Sequence, residues 1–158
     1  MNTALTSSEF TIEFPASPTW FQTLRRLVFT ASVQCGFSDR NAGQIAMAVD
    51  EALTNIHRHG YKNDEQGKVI LHIRTTVEPV SRIDIQLDDE AEQVDVSTIQ
   101  SRNLDEVRPG GLGVHLIRTI MDESIWETRD SGGMRLRMSK TCCSNININK
   151  QARECTNG

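Results

Sequence analysis

Residues 9–14 (EFTIEF) alternate apolar and polar side chains, the period of a strand with one buried face. Pro15 and Pro18 stop it, and Ser17-Pro18 then supplies a capping residue followed by a proline suited to a first helical turn. Over 20–35 the apolar residues Phe21, Leu24, Leu27, Val28, Ala31 and Cys35 recur at steps of three and four. They predict an amphipathic helix that Gly36 closes. A second helix is predicted from the Ser38-Asp39 cap to about residue 59. Its stripe is Ile45, Ala48, Val49, Ala52, Leu53 and Ile56, and Gly60 is its stop. After a loop over 62–67, alternating runs at 68–77 and 81–87 predict an antiparallel pair about Glu78-Pro79-Val80.

Residues 88–109 are polar and have no clear period, which predicts a long loop with one short helical turn. Loops of that length in compact domains are usually functional or mobile. Residues 110–122 (GGLGVHLIRTIMD) read as a glycine loop opening a helix. Runs at 123–129 and 134–140, joined through Asp130-Ser131-Gly132-Gly133, predict a closing hairpin. The order strand, helix, helix, two strands, loop, helix, two strands implies a two-layer α/β (α+β) sandwich. Helices cover one face of a mixed, mostly antiparallel sheet. The expected division is a flexible 1–7, one domain over 8–140, and a disordered tail at 141–158 rich in Asn, Ser and Lys.

Composition narrows the function. The 158 residues suit one domain, and a net charge of −4 disfavours nucleic acid, whose phosphates need a basic face. No apolar run is long enough to span a membrane, and the N-terminus lacks signal-peptide character, so a cytoplasmic protein is expected. Cys35, Cys142, Cys143 and Cys155 form no CxxC pair and have no histidine at metal-ligand spacing, so thiols without a functional role are expected.

Three features could carry chemistry. Glu51, Asn55 and His59 recur every four residues and would stack along one helix face. Asn is disfavoured inside a helix, so fold or function must hold it there. A carboxylate and a carboxamide one turn apart could handle a hydroxyl and a hard cation; the plainer reading is a solvated face. Gly110-Gly111-Leu112-Gly113 could bring backbone N–H groups to a phosphate, or be a simple turn; no P-loop or dinucleotide motif accompanies it. In Asp88-Asp89-Glu90, at a strand end, one carboxylate could accept from an exocyclic amine, or all three could be solvated.

The order of these features resembles a known family. DEALTNIHRHGY (50–61), DDEAEQVD (88–95) and PGGLGVHLIRTIMDE (109–123) look like the N box and the two glycine boxes of histidine-kinase-like (GHKL) ATPases. More narrowly the chain is similar to the anti-sigma-factor serine/threonine kinases of bacterial partner-switching systems, over residues 8–139. The resemblance implies Glu51 as general base and Asn55 as ligand of a Mg²⁺ ion that bridges ATP phosphates. It implies Asp89 as reader of the adenine amino group, and Gly110, Gly111, Leu112 and Gly113 as the phosphate cradle beside a lid over 94–110. This is a coherent set for phosphoryl transfer, which needs positioning, a cation and a base.

The chain departs from the pattern at Ala91, where the family has glycine, and at Gln93, where it lacks a second one. A methyl at 91, with less freedom at positive φ, predicts a shifted backbone or weaker adenine binding. His57, His59 and His115 are expected to be structural or surface residues. The resemblance implies a kinase that phosphorylates an antagonist protein on Ser or Thr and sequesters a sigma factor, without contacting nucleic acid or membrane. The first helix serves in a homodimer, as the resemblance suggests, or simply packs on the sheet. The competing reading is a nucleotide-binding regulatory module without phosphoryl transfer, which Ala91 favours.

Overall fold

The computed structural model describes residues 7–99 and 112–142. Among them run β1 (Ser7–Pro15), α1 (Pro18–Gln34), α2 (Asp39–Asn55), β2 (Lys68–Thr76), β3 (Arg82–Asp89), α3 (Leu112–Ile120), β4 (Glu123–Thr128) and β5 (Met134–Thr141). The strands lie in the order β1-β2-β3-β5-β4, and every neighbouring pair is antiparallel, where a mixed sheet was expected. Two helices between β1 and β2 return the chain to the end it left. Pro15 therefore faces Lys68, and β2 runs back along β1.

Alternation divides the sheet. Val69, Leu71 and Ile73 of β2, Ile83, Ile85 and Leu87 of β3, and Leu136 and Met138 of β5 join one core with Leu24 and Val28 of α1, Ile45, Val49 and Leu53 of α2, and Ile117 of α3. Each fully buried Leu or Ile contributes about 1.5–3 kcal/mol, so this single face holds the domain together. The opposite face is polar, with Arg74 paired to Glu9, Arg82 to Asp84, and Arg137 to Glu127.

Helix α1 ends as the sequence implies, with Gly36 at φ +102°, a left-handed closure that suits glycine. The buried Cys35 thiol donates to the carbonyls of Thr76 and Arg82, both at 3.2 Å, so it fastens the helix to the β2–β3 hairpin. Helix α2 starts on Ser38, whose hydroxyl accepts from the Asn41 N–H. Its end differs from expectation: α-helix stops at Asn55, and a wider turn with i→i+5 bonding covers Ile56–Gly60. There the Tyr61 N–H donates to the Ile56 carbonyl at 2.9 Å. The Tyr61 hydroxyl donates to the Lys68 carbonyl at 2.5 Å and accepts from the Glu90 N–H at 2.8 Å. The widened turn brings Tyr61 to these strand-end partners, and it removes His59 from the repeat shared by Glu51 and Asn55.

At the other end, β5 includes Thr141, and the Cys142 N–H donates to the Ser81 carbonyl at 2.8 Å, so the sheet runs past the expected limit. The rest of the expected tail, and most of the expected N-terminal segment, lie outside the described residues.

Candidate functional site

Alternation in β3 sends its two terminal acids to opposite sides. Asp88 faces the polar side, directly across from Arg135, which grips it through two bonds of 2.8 and 2.7 Å. Burial alone would raise the Asp88 carboxyl, but Arg135, with Arg129 beyond it, holds it below the usual carboxylate range. Asp89 faces the helices and is 5% exposed. Its Oδ1 accepts from the backbone N–H groups of Ala91, at 2.9 Å, and Met134, at 3.1 Å. Burial pushes its carboxyl up, against the pull of those two N–H groups.

Among the described non-glycine residues only Lys62 and Asn63 have positive φ, so Ala91 needs none of glycine's freedom. A Cβ added at Gly60 would lie 3.1 Å from the Ala91 Cβ, so the alanine methyl occupies room that Gly60 leaves. The turn after Asp89 keeps its bond from the Ala91 N–H to the carboxylate.

The second half of the site comes from α2 and α3. Glu51 and Asn55, one turn apart and both half-buried, look across at Gly113 in the first turn of α3. A Cβ on Gly113 would lie 2.7 Å from Glu51 Oε2 and 3.3 Å from Asn55 Nδ2. Glycine stands there because the two helices approach closely, and its backbone is not in a left-handed conformation. Any side chain would fill the space that Glu51 and Asn55 face.

Asn55 and Asp89 line one small cavity of about 50 Å³, closed by Leu87, Ile117, Trp126 and Met134. A larger concavity, about 520 Å³, lies on the uncovered sheet face among Arg74, Arg82, Asp84 and Arg137. There the charges are taken up by neighbouring ion pairs, and no unpaired acid sits beside a glycine approach, so we place the site at the smaller cavity.

The fold thus brings the Glu51–Asn55 pair of α2 together with Gly113 and, through the cavity that Asn55 lines, with Asp89. Leu112 is 72% exposed at the start of α3. Gly110, Gly111 and most of the expected lid lie outside the described residues. The described start of the lid carries the expected short turn, Val96–Thr98, capped by the Asp95 carboxylate on the Ser97 N–H. His57 is buried, with Nδ1 2.8 Å from the Ala16 carbonyl oxygen and its ring edge-on to Phe21, a structural role as expected. His115 lies beside Thr119 on α3 and His59 is exposed.

Sequence reading gave no part to Gly133, Met134 or Arg129, which surround Asp89. Gly133 has φ +82°, and a Cβ there would lie 1.9 Å from the Asp89 carbonyl oxygen, so both conformation and space demand glycine. The Gly132-Gly133 pair read only as a hairpin turn, because its neighbour across the sheet is more than forty residues away. Chemically, the arrangement offers a partly exposed acid, an amide oxygen for a hard cation, and a buried fixed acceptor in the cavity that Asn55 also lines.

The histidine kinase-like ATPase domain model matches residues 14–140. This chain belongs to that family. Curated relatives of the ATPase-domain chain include serine-protein kinase RsbW of Bacillus subtilis (strain 168), 26% identical over 137 residues, covering 82% of each protein. RsbW of Bacillus licheniformis is 28% identical over 117 residues, covering 69% of this chain and 71% of that protein. Among solved structures, the fold is shared with the RsbU and RsbW domains of a Mycobacterium tuberculosis protein, at 14% identity and a TM-score of 0.59. The match covers 85% of this chain but only 33% of that one. It is also shared with the SiaB–SiaC complex from Pseudomonas aeruginosa, at 12% identity and a TM-score of 0.55, covering 84% of this chain and 89% of that one. Both the GHKL resemblance and the two-layer sandwich of helices on one face of a sheet thus stand, with the sheet wholly antiparallel among the described residues. Among the described residues no helix is long and apolar enough to cross a membrane.

Proposed function

We propose that this histidine-kinase-like ATPase domain is a cytoplasmic, ATP-dependent serine/threonine protein kinase of the anti-sigma-factor type. It transfers the γ-phosphoryl group of ATP to a Ser or Thr hydroxyl of a small antagonist protein. When that antagonist is phosphorylated, it holds a sigma factor or similar regulator. The observation that carries this reading is the meeting of Glu51, Asn55 and Gly113 where α2 approaches α3, with Asn55 also lining the small cavity that Asp89 lines. The RsbW relatives, named serine-protein kinases, support the choice of acceptor.

In this reading Glu51 is the catalytic base: its carboxylate takes the proton of the attacking hydroxyl. Gly113, with Gly110, Gly111 and Leu112, brings backbone N–H groups to the phosphates at the start of α3, where the helix end favours negative charge. The buried Asp89 accepts from the adenine amino group. Mg²⁺ fits the donor set, because it is usually bound through few protein oxygens plus substrate phosphates rather than by an all-protein cage. Asn55 would hold it through its side-chain amide oxygen, with Glu51 beside it on the same helix face. When bound, the ion supplies neutralisation of phosphate charge. The net charge of −4 suits a partner with a basic docking face, and a homodimer through α1 belongs to the same reading.

The second reading, a regulatory module that binds nucleotide without transferring phosphate, is favoured by Ala91, whose methyl stands where the family resemblance has glycine. Labelled ATP, Mg²⁺ and a candidate antagonist, incubated with the native protein and with Glu51→Ala, separate the two. The kinase reading expects label on the antagonist and a fall of about 10²–10⁴-fold for the variant. Nucleotide binding with no transfer by the native protein supports the module; equal transfer by both proteins removes Glu51 from the base role.

A further inference from the structure

Arg129 follows β4, and its guanidinium turns back beneath the end of β3. Its Nη1 donates to the Asp89 carbonyl oxygen at 2.5 Å, while Nε lies 3.6 Å from Asp88 Oδ2. The side chain is only 15% exposed, and the Nε is buried with no hydrogen-bond acceptor. Such placement is costly for a cation. Neutralising Asp88 does not explain it, because Arg135 already meets that carboxylate with two bonds. What Arg129 alone supplies is the bond to the peptide of Asp89.

The main chain of Arg129 is held just as closely. Its N–H donates to the Gly133 carbonyl at 3.0 Å, and its own carbonyl accepts from Gln93 Nε2 at 2.7 Å. The same Gln93 amide donates to the Gly133 carbonyl at 3.2 Å. Three segments therefore lock together: the strand end bearing Asp89, the start of the long loop at Gln93, and the turn between β4 and β5. Gln93, where the family resemblance led one to look for glycine, is the stitch between the last two.

We propose that Arg129, assisted by Gln93, is a positioning residue for the nucleotide base. It fixes the Asp89 peptide while the N–H groups of Ala91 and Met134 occupy Oδ1, leaving Oδ2 as the acceptor open to a ligand in the cavity. A fixed acceptor selects a purine bearing an exocyclic 6-amino group over one bearing a 6-oxo group, which offers no donor there. The proposal rests on the reading of this cavity as the base end of a nucleotide site.

The test compares ATP and GTP affinity, by displacement of a fluorescent ADP analogue from the full-length protein, for the native chain, Arg129→Met and Gln93→Leu. Arg129→Met is expected to lower the ATP-over-GTP preference about tenfold, the worth of one charge-assisted bond, through weaker ATP binding alone. Gln93→Leu, a change at an exposed side chain, is expected to shift it less and in the same direction. A lowered melting temperature with unchanged preference in both variants would overturn the proposal and leave Arg129 a stability residue. If Arg129→Met does not fold, Gln93→Leu decides: an unchanged preference overturns the proposal. A native protein without ATP preference would instead overturn the base reading of Asp89 itself, a distinguishable failure.

Discussion

On α2, the side chains of Glu51 and Asn55 have no hydrogen-bond or ion-pair partner among the described residues. At the β3 end, Asp89 accepts two backbone bonds through its carboxylate and one from Arg129 through its carbonyl, while Asp88 behind it is gripped by Arg135. The difference follows from what each acid is asked to do. A carboxylate that must take a proton has to be free to meet the hydroxyl that carries it. One that distinguishes ligands must be held before the ligand arrives, so that ordering does not offset the affinity.

Filling the open end tests the contrast most severely. Gly113→Val places a side chain where even a Cβ falls 2.7 Å from Glu51 Oε2. It should lower kcat/KM for phosphoryl transfer by at least about 100-fold, because small misplacement of reacting groups is that costly. The melting temperature should change little, since Glu51 and Asn55 have no partners to lose among the described residues. A thermal melt beside a transfer assay checks both.

The same kind of change at the closed end should act on stability instead. Gly133→Ala adds a methyl 1.9 Å from the Asp89 carbonyl oxygen at a positive φ, and should cost about 3 kcal/mol. Chemical denaturation of both proteins measures it; a loss below about 0.5 kcal/mol, within the range of ordinary surface substitutions, would show the turn is not locked to Asp89.

A smaller effect separates the two neighbouring acids by pH. The carboxyl of Asp88 is lowered in the folded protein, so between that value and about pH 4 the unfolded state binds more protons and stability rises with pH. The stabilisation is complete above about pH 4 and is lost as pH falls through the folded-state value. Asp88→Asn should therefore cost about 1 kcal/mol at neutral pH, limited by the part-exposed Arg135, and the gap should close on acidification. Asp89 has the opposite sign: its raised carboxyl costs stability at neutral pH, and acid relieves that cost. Denaturation midpoints from pH 3 to 7 resolve the two.

How far the sequence foretold this depends on how local each cause is. The strands and helices were legible because β2, β3 and α2 each bury a face at its own period. The end of α2 was not, because the wide turn at Ile56–Gly60 comes with contacts of Tyr61 to Lys68 and Glu90. Glu51, Asn55 and Gly113 could be singled out from spacing and resemblance, yet their convergence is a tertiary fact of α2 against α3. The closed end was least legible. The β3–β5 register brings Met134 beside Asp89, and no local pattern marks Arg129 or Gln93 as neighbours. The positive-φ concern that the resemblance raises at Ala91 is not borne out by the backbone.

The most direct test of the account is a crystal structure of the protein with Mg²⁺ and a non-hydrolysable ATP analogue. The account predicts the triphosphate against Glu51, Asn55 and the backbone around Gly113, with the base amino group on the Asp89 carboxylate. A nucleotide seated on the uncovered sheet face among Arg74, Arg82 and Arg137, with Glu51 and Asp89 untouched, would contradict it.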